Sequence, residues 1–145
     1  MPDKVFEIFN AKSFAGILLN FSGNMKWSGK KADGEAWKIV AWNPVLKKSE
    51  NIFVPKSGSI ASSGPEHNSF SANKKWHHLI DPFSFKPVNY WVQTTVIGKQ
   101  AEVCDILSTS FFVMKKNKIK KILANFPDYQ VLVVDANGKS STITP

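Results

Sequence analysis

Residues 129–144, YQVLVVDANGKSSTIT, constrain the fold more than any other stretch, because they spell a strand, an Asn-Gly turn and a second strand. Two helical patterns precede them, over about 100–114 and 116–125, and the second turns Ile119, Ile122 and Leu123 inward and its lysines outward. Short strand candidates fill most of what lies before. AGILLNF at 15–21 ends in the turn signal SGN, AWKIVAW at 36–42 alternates after an Asp33-Gly34 turn, and we expect these two to pair as a hairpin. NIFVP at 51–55, SIASS at 59–63, WHHLI at 76–80 and WVQTTVI at 91–97 read as further strands. WHHLI stops at Asp81-Pro82, since the residue before proline is pushed out of helical geometry. DKVFEIFNA at 3–11 places Val5, Phe6, Ile8 and Phe9 roughly on one face and predicts a short amphipathic helix, while GPEHNSFSANKK at 64–75 has turn composition. Strands, then helices, then a hairpin imply an α+β class: a largely antiparallel sheet with two helices packed on one face.

A chain of 145 residues is the size of one ordinary domain, and one of this size buries roughly 70% of the surface its unfolded form exposes. No apolar run approaches the ~20 residues of a membrane-spanning helix, so no membrane span is expected. The start, MPDKVFE, shows no basic-then-apolar-then-small order, so the chain as written is expected to be cytoplasmic. Cys104 is the single cysteine and lies in an apolar run, which makes it a small buried hydrophobe and leaves no intrachain disulfide. The net charge of +8 comes with nineteen lysines and no arginine. Without the bidentate guanidinium that reads guanine, and with the densest cluster, KKNKIKK at 115–121, on the outer face of a helix, no nucleic-acid partner is expected. An anionic small ligand remains compatible with the charge.

Within CDILSTSFFVM, 104–114, Asp105 interrupts an apolar helical run and Thr109 follows one turn later. Glu102, Asp105 and Thr109 share one stripe of the helix, which is either its solvent-facing side or a cation site. Hard divalent ions such as Mg²⁺ take oxygen ligands, often one or two carboxylates together with substrate phosphates. In WHHLI, strand geometry sends His77 and His78 to opposite faces, one inward and one outward. SIASSG and NFSGN end strands in small residues, which either punctuate turns or let backbone N–H groups approach a phosphate.

In order and spacing, NFSGN at 20–24, AWKIVAWNP at 36–44, IASSG at 60–64, HLIDP at 78–82, KPV at 86–88, TTVIG at 94–98 and DILSTSFFVM at 105–114 resemble the FAD:protein FMN transferase, or ApbE-like, family. The resemblance covers only the family's second half. It implies a single ApbE-like domain over 1–145, the T-fold-like C-terminal half, lacking the N-terminal half that supplies much of the FAD pocket. It implies that Asp105 and Thr109 bind Mg²⁺ against the FAD pyrophosphate, that His78 acts at the reaction centre and contacts the cofactor, and that Ser63 and Gly64 face the ligand. The implied reaction moves FMN from FAD to a threonine of a target flavoprotein and releases AMP. The implied partners are FAD and that flavoprotein, or a complementary chain; family members usually act outside the bacterial cytoplasm. The alternative is a truncated, non-catalytic remnant or interaction module. The chain departs from the family pattern at Ser22 and Asn24 in the first turn, at Pro65-Glu66-His67-Asn68 after Ser-Gly, and at Phe83-Ser84-Phe85, where Arg-Thr-Gly is expected.

Overall fold

The computed structural model describes residues 2–10, 14–51, 56–66, 68–73 and 75–145. Helix α1 (Pro2–Asn10) leads into β1 (Gly16–Phe21) and β2 (Asn24–Gly29), followed by β3 (Val40–Asn43) and β4 (Lys48–Asn51). Then come β5 (Ser57–Ser63), β6 (Gln93–Gly98), α2 (Ala101–Phe112), α3 (Lys116–Leu123), β7 (Gln130–Val134) and β8 (Ser140–Ile143). Six strands form one antiparallel sheet in the order β1-β2-β5-β6-β7-β8, and β3 pairs with β4 apart from it. The expected α+β class holds.

Strand alternation divides the core in two. Ala61, Val96, Val131 and Ile143 stand in register across four strands and pack beneath Cys104, Leu107 and Phe111 of α2 and Ile119 and Leu123 of α3. On the opposite face Ile60 and Ile97 pair across β5 and β6 and join Trp27, Ile39 and Trp37 in a second cluster. One row along, on the helix side, the in-register pair is Ser63 and Thr94, so the sheet turns from apolar to hydroxylic just where it passes under the middle of α2.

Helix α1 packs against β1, β2 and α2. It also completes α2: Gln100, at the N-cap, offers no side-chain cap, and the Asp3 carboxylate instead accepts hydrogen bonds from the backbone N–H of Ala101 (3.2 Å) and Glu102 (3.0 Å). Lys26 ion-pairs with the same carboxylate.

Several expectations are revised. β1 does not pair with 36–42; it pairs with β2, because Ser22 (φ 52°) and Gly23 (φ 100°) make a two-residue turn of the twist that suits a hairpin. NMKWSG is a strand that composition hides, and Trp27, 1% exposed, anchors it. Residues 76–80 form no strand, only isolated bridges, Ser69 to His77 and Ile80 to Pro87, since their neighbours are short loops that cannot carry a ladder. The NIFVP candidate lies outside the described residues except at Asn51, which closes β4. The final hairpin is present, yet five residues link its strands: Gly138 takes φ 79°, and Asp135 accepts the N–H groups of Asn137 and Lys139 on its side chain.

Candidate functional site

Where β5 ends and β1 turns into β2, a cleft of about 490 Å³ opens. Helix α2 contributes Asp105 and Thr109 to its wall, β5 contributes Ser63 and Gly64, and the loop beyond contributes Glu66, Asn68 and His78. Trp42 of β3 and the Ser22–Met25 turn line it as well. The five site residues that the resemblance implies, Asp105, Thr109, Ser63, Gly64 and His78, all line one cavity. Glu102 does not line it; it sits in the first turn of α2, with its N–H held by Asp3.

Hydroxyl groups fix the α2 side of the cleft. The Ser108 hydroxyl donates to the Asp105 carbonyl at 3.0 Å. Ser63 Oγ lies 2.8 Å from Ser108 Oγ and 3.0 Å from Thr109 Oγ1. Each hydroxyl has one proton to give. Ser108 has spent its own, so Ser63 donates to Ser108 and Thr109 donates to Ser63. The order leaves lone pairs of Thr109 Oγ1 free to meet a cation. Thr94, fully buried, donates to the Ser108 carbonyl at 2.7 Å and ties this turn of α2 to β6. Gly64 is needed for close packing, because a Cβ there would come within 2.8 Å of the Val92 carbonyl oxygen.

The two histidines separate as expected. His78 is exposed and its Nδ1 is 3.1 Å from the Asn68 carbonyl oxygen. A carbonyl only accepts, so Nδ1 carries a proton, which fixes the neutral tautomer as the one with its lone pair on Nε2. His77 is buried, stands edge-on to Phe112 with ring centres 5.6 Å apart, and accepts the Leu79 N–H on Nδ1. Burial holds its pKa below 6.5; the Asn89 side chain and Val88 backbone oppose this only in part, and repulsion between the two imidazolium forms of His77 and His78 adds to it. It is a packing residue. Burial pushes the Cys104 thiol up to about 12, helped by the Asp3 charge, which leaves it inert inside the core as expected.

Among the described residues no three His, Cys, Asp or Glu side chains converge into a protein-built metal cage. One carboxylate and one hydroxyl, a helical turn apart on an open wall, suit a hard cation that completes its shell with phosphate oxygens and water. The charged side chains among the described lining residues are Glu66 and Asp105. Sequence reasoning missed Asn68, Gln93 and Trp42, which lie in loop or strand composition with no local mark, and Ser108, whose neighbours alone drew notice.

Fold and cleft define an α+β protein with a cleft, lined by Asp105, Thr109, Ser63, Gly64 and His78, beside an antiparallel sheet. The ApbE family model matches residues 1–133, and the chain belongs to the ApbE family. It is 27% identical over 120 residues to the FAD:protein FMN transferase of Vibrio cholerae, covering 80% of this chain and 36% of that protein. To the FAD:protein FMN transferase of Haemophilus influenzae it is 26% identical over 143 residues, 94% of this chain and 41% of that one. The solved flavin transferase ApbE from Vibrio cholerae superposes with a TM-score of 0.79 at 25% identity, over 98% of this chain and 47% of that one. The ApbE protein of Thermotoga maritima shares the fold, with a TM-score of 0.77 at 24% identity over 98% of this chain and 47% of that one. The chain therefore spans less than half the length of each of these relatives.

Proposed function

We propose that this chain is the flavin-handling part of an FMN transferase, and that its cleft receives FAD. The observation that carries the reading is the convergence of Asp105, Thr109, Ser63, Gly64 and His78, drawn from three separate segments, on one cleft. A dinucleotide pyrophosphate brought up to Asp105 would meet a charge of its own sign. A divalent cation would offset that repulsion. Asp105 and Thr109 would hold Mg²⁺, which when bound neutralises charge on phosphoryl oxygens and steadies the leaving phosphate.

The chain's own groups do the rest. Ser63 and Ser108 keep Thr109 turned with its lone pairs outward, and Trp42, an exposed lining residue, offers a face for a flavin or adenine ring. In the reaction proposed, a target threonine hydroxyl attacks the FMN phosphorus, the bond to the bridging pyrophosphate oxygen breaks, and AMP leaves with that oxygen. The proton of the attacking hydroxyl passes to Nε2 of His78, or to water that His78 orders.

A second reading has its own support. Because the chain spans less than half of its relatives, it can also act as a non-catalytic module, or as one of two chains that share a site. Calorimetric titration of FAD, with and without Mg²⁺, on the wild type and Asp105→Ala separates them. Binding that requires both Mg²⁺ and Asp105 supports the transferase reading, and a transfer assay with a flavoprotein then follows. A folded protein that binds no FAD in either condition refutes it for this chain alone.

A further inference from the structure

A few residues beyond the His77-His78 segment, residues 81–86 form a tight turn that holds two phenylalanines out in water. Phe83 is 83% exposed and Phe85 81%. The turn is firmly built. Asp81 Oδ1 accepts the Phe83 N–H at 3.1 Å, Oδ2 accepts the Ser84 hydroxyl at 2.9 Å, the Asp81 carbonyl accepts the Phe85 N–H at 2.9 Å, and the Asp81 N–H donates to the Lys86 carbonyl at 3.0 Å. Phe85 sits at φ 54°, a left-handed conformation that a bulky side chain rarely adopts and that glycine would accept freely. Strain of this kind, spent on exposing an aromatic ring, points to something outside the chain that receives it.

The surroundings say what that is. Lys118 of α3 lies over the Phe83 ring, 5.8 Å from its centre, and Lys115 lies 5.6 Å from the centre of Tyr90, itself 42% exposed. Lys86 and Lys116 are exposed beside them in sequence. The acid within the turn, Asp81, has its carboxylate taken up by the turn's own hydrogen bonds, which, with Lys118, hold its pKa below 3.8. The exposed rings of Phe83, Phe85 and Tyr90 thus stand among lysines, two of them in direct contact with an aromatic face. This arrangement matches the interface of an anionic bilayer, where aromatic rings sit at headgroup depth and lysine stems reach back to the phosphates.

We propose that the 81–86 turn docks this protein on an anionic lipid bilayer, with Phe83 and Phe85 inserted and Lys86, Lys115 and Lys118 against the headgroups. The proposal is independent of what the cleft binds. Co-sedimentation with phosphatidylglycerol-containing vesicles, against pure phosphatidylcholine vesicles, tests it on the wild type, on Phe83→Ser with Phe85→Gly, and on Lys115→Gln with Lys118→Gln. Glycine at position 85 relieves the backbone, so the first variant keeps its fold, which a thermal melt checks. The expected result is binding to anionic vesicles only, at least tenfold weaker in the phenylalanine variant and weakened by salt in the wild type. Absence of wild-type binding at low salt overturns the proposal. So does equal binding by the phenylalanine variant, which would leave only a diffuse lysine attraction, or self-association through the tip that the same variant abolishes. Binding of a single-stranded oligonucleotide that needs both phenylalanines, with vesicles ignored, overturns it in favour of a nucleic-acid surface.

Discussion

Ser108 touches no solvent, yet its single proton sets the direction of every hydroxyl between α2 and β5. In Ser108→Ala, Ser63 loses its acceptor and is free to donate to Thr109 instead, and a cation bound there then competes with a hydrogen bond. Loss of such a supporting contact typically weakens a metal site roughly tenfold or more. Titration should show the Mg²⁺-dependent part of FAD affinity falling by about that factor, with Mg²⁺-independent binding unchanged. Asp3 sets stability. Burial raises its pKa, but the Lys26 ammonium and the N–H groups of Glu102 and Ala101 outweigh that and hold it below 3.8. The folded chain therefore favours the carboxylate more than the unfolded chain does. This contribution is complete above pH 3.8 and is lost as pH falls through the lowered folded value. Asp3→Asn should cost about 1–2 kcal/mol in urea melts at neutral pH, and should flatten the acid limb of a stability profile. His77 adds a second, higher window: held neutral in the fold, it favours folding above pH 6.5 and loses that contribution as pH falls towards its depressed value.

At the scale of elements, the small sheet of β3 and β4 carries Trp42 to the cleft and depends on one buried side chain for its position. Asn43 Nδ2 donates to Glu50 Oε1 at 2.7 Å and to the Gly138 carbonyl at 2.9 Å, while Oδ1 accepts the N–H groups of Val45 and Leu46. The bond to Gly138 joins this sheet to the β7–β8 turn. Asn43→Ala leaves several of these groups unpaired and should cost about 3 kcal/mol, with a weaker FAD titration because Trp42 is no longer held. Gly98 is an equally sharp case. A Cβ there would lie 2.0 Å from Cδ1 of Tyr129, whose hydroxyl accepts the Gln100 N–H at the entry to α2. Gly98→Ala should lower the melting temperature by several degrees, on the order of a 1–3 kcal/mol overpacking penalty.

At the scale of the whole molecule, β5, β6 and β7 have neighbours on both sides and a core on at least one face, while β1 and β8 are edges. Hydrogen exchange should be slowest in β6, fastest among the strands at β1 and β8, and uniform in ranking with or without FAD. The sequence by itself determined the class: an Asn-Gly turn between strands, a 3.6-residue stripe of apolar side chains in α2 and α3, and β-branched runs leave few architectures in which each element buries its face. It also put Asp105 and Thr109 on one side of a helix, where they read equally as a solvent-facing stripe or a cation site, and only the resemblance to the ApbE-like family singled them out. The tertiary structure alone decided the pairing of β1 with β2, since the turn at Ser22-Gly23 works through backbone angles and a single buried Trp27 rather than through composition. It decided that 76–80 is not a strand, because a strand needs a long neighbour and sequence does not show who the neighbour is. It alone brought Ser63, Asn68, His78 and Trp42 to Asp105, and made α1 the cap of a helix nearly a hundred residues away. The reason is common to all of these. Local sequence fixes backbone preference and which face is apolar, but contacts between distant segments are set by how the whole set of faces closes on one core.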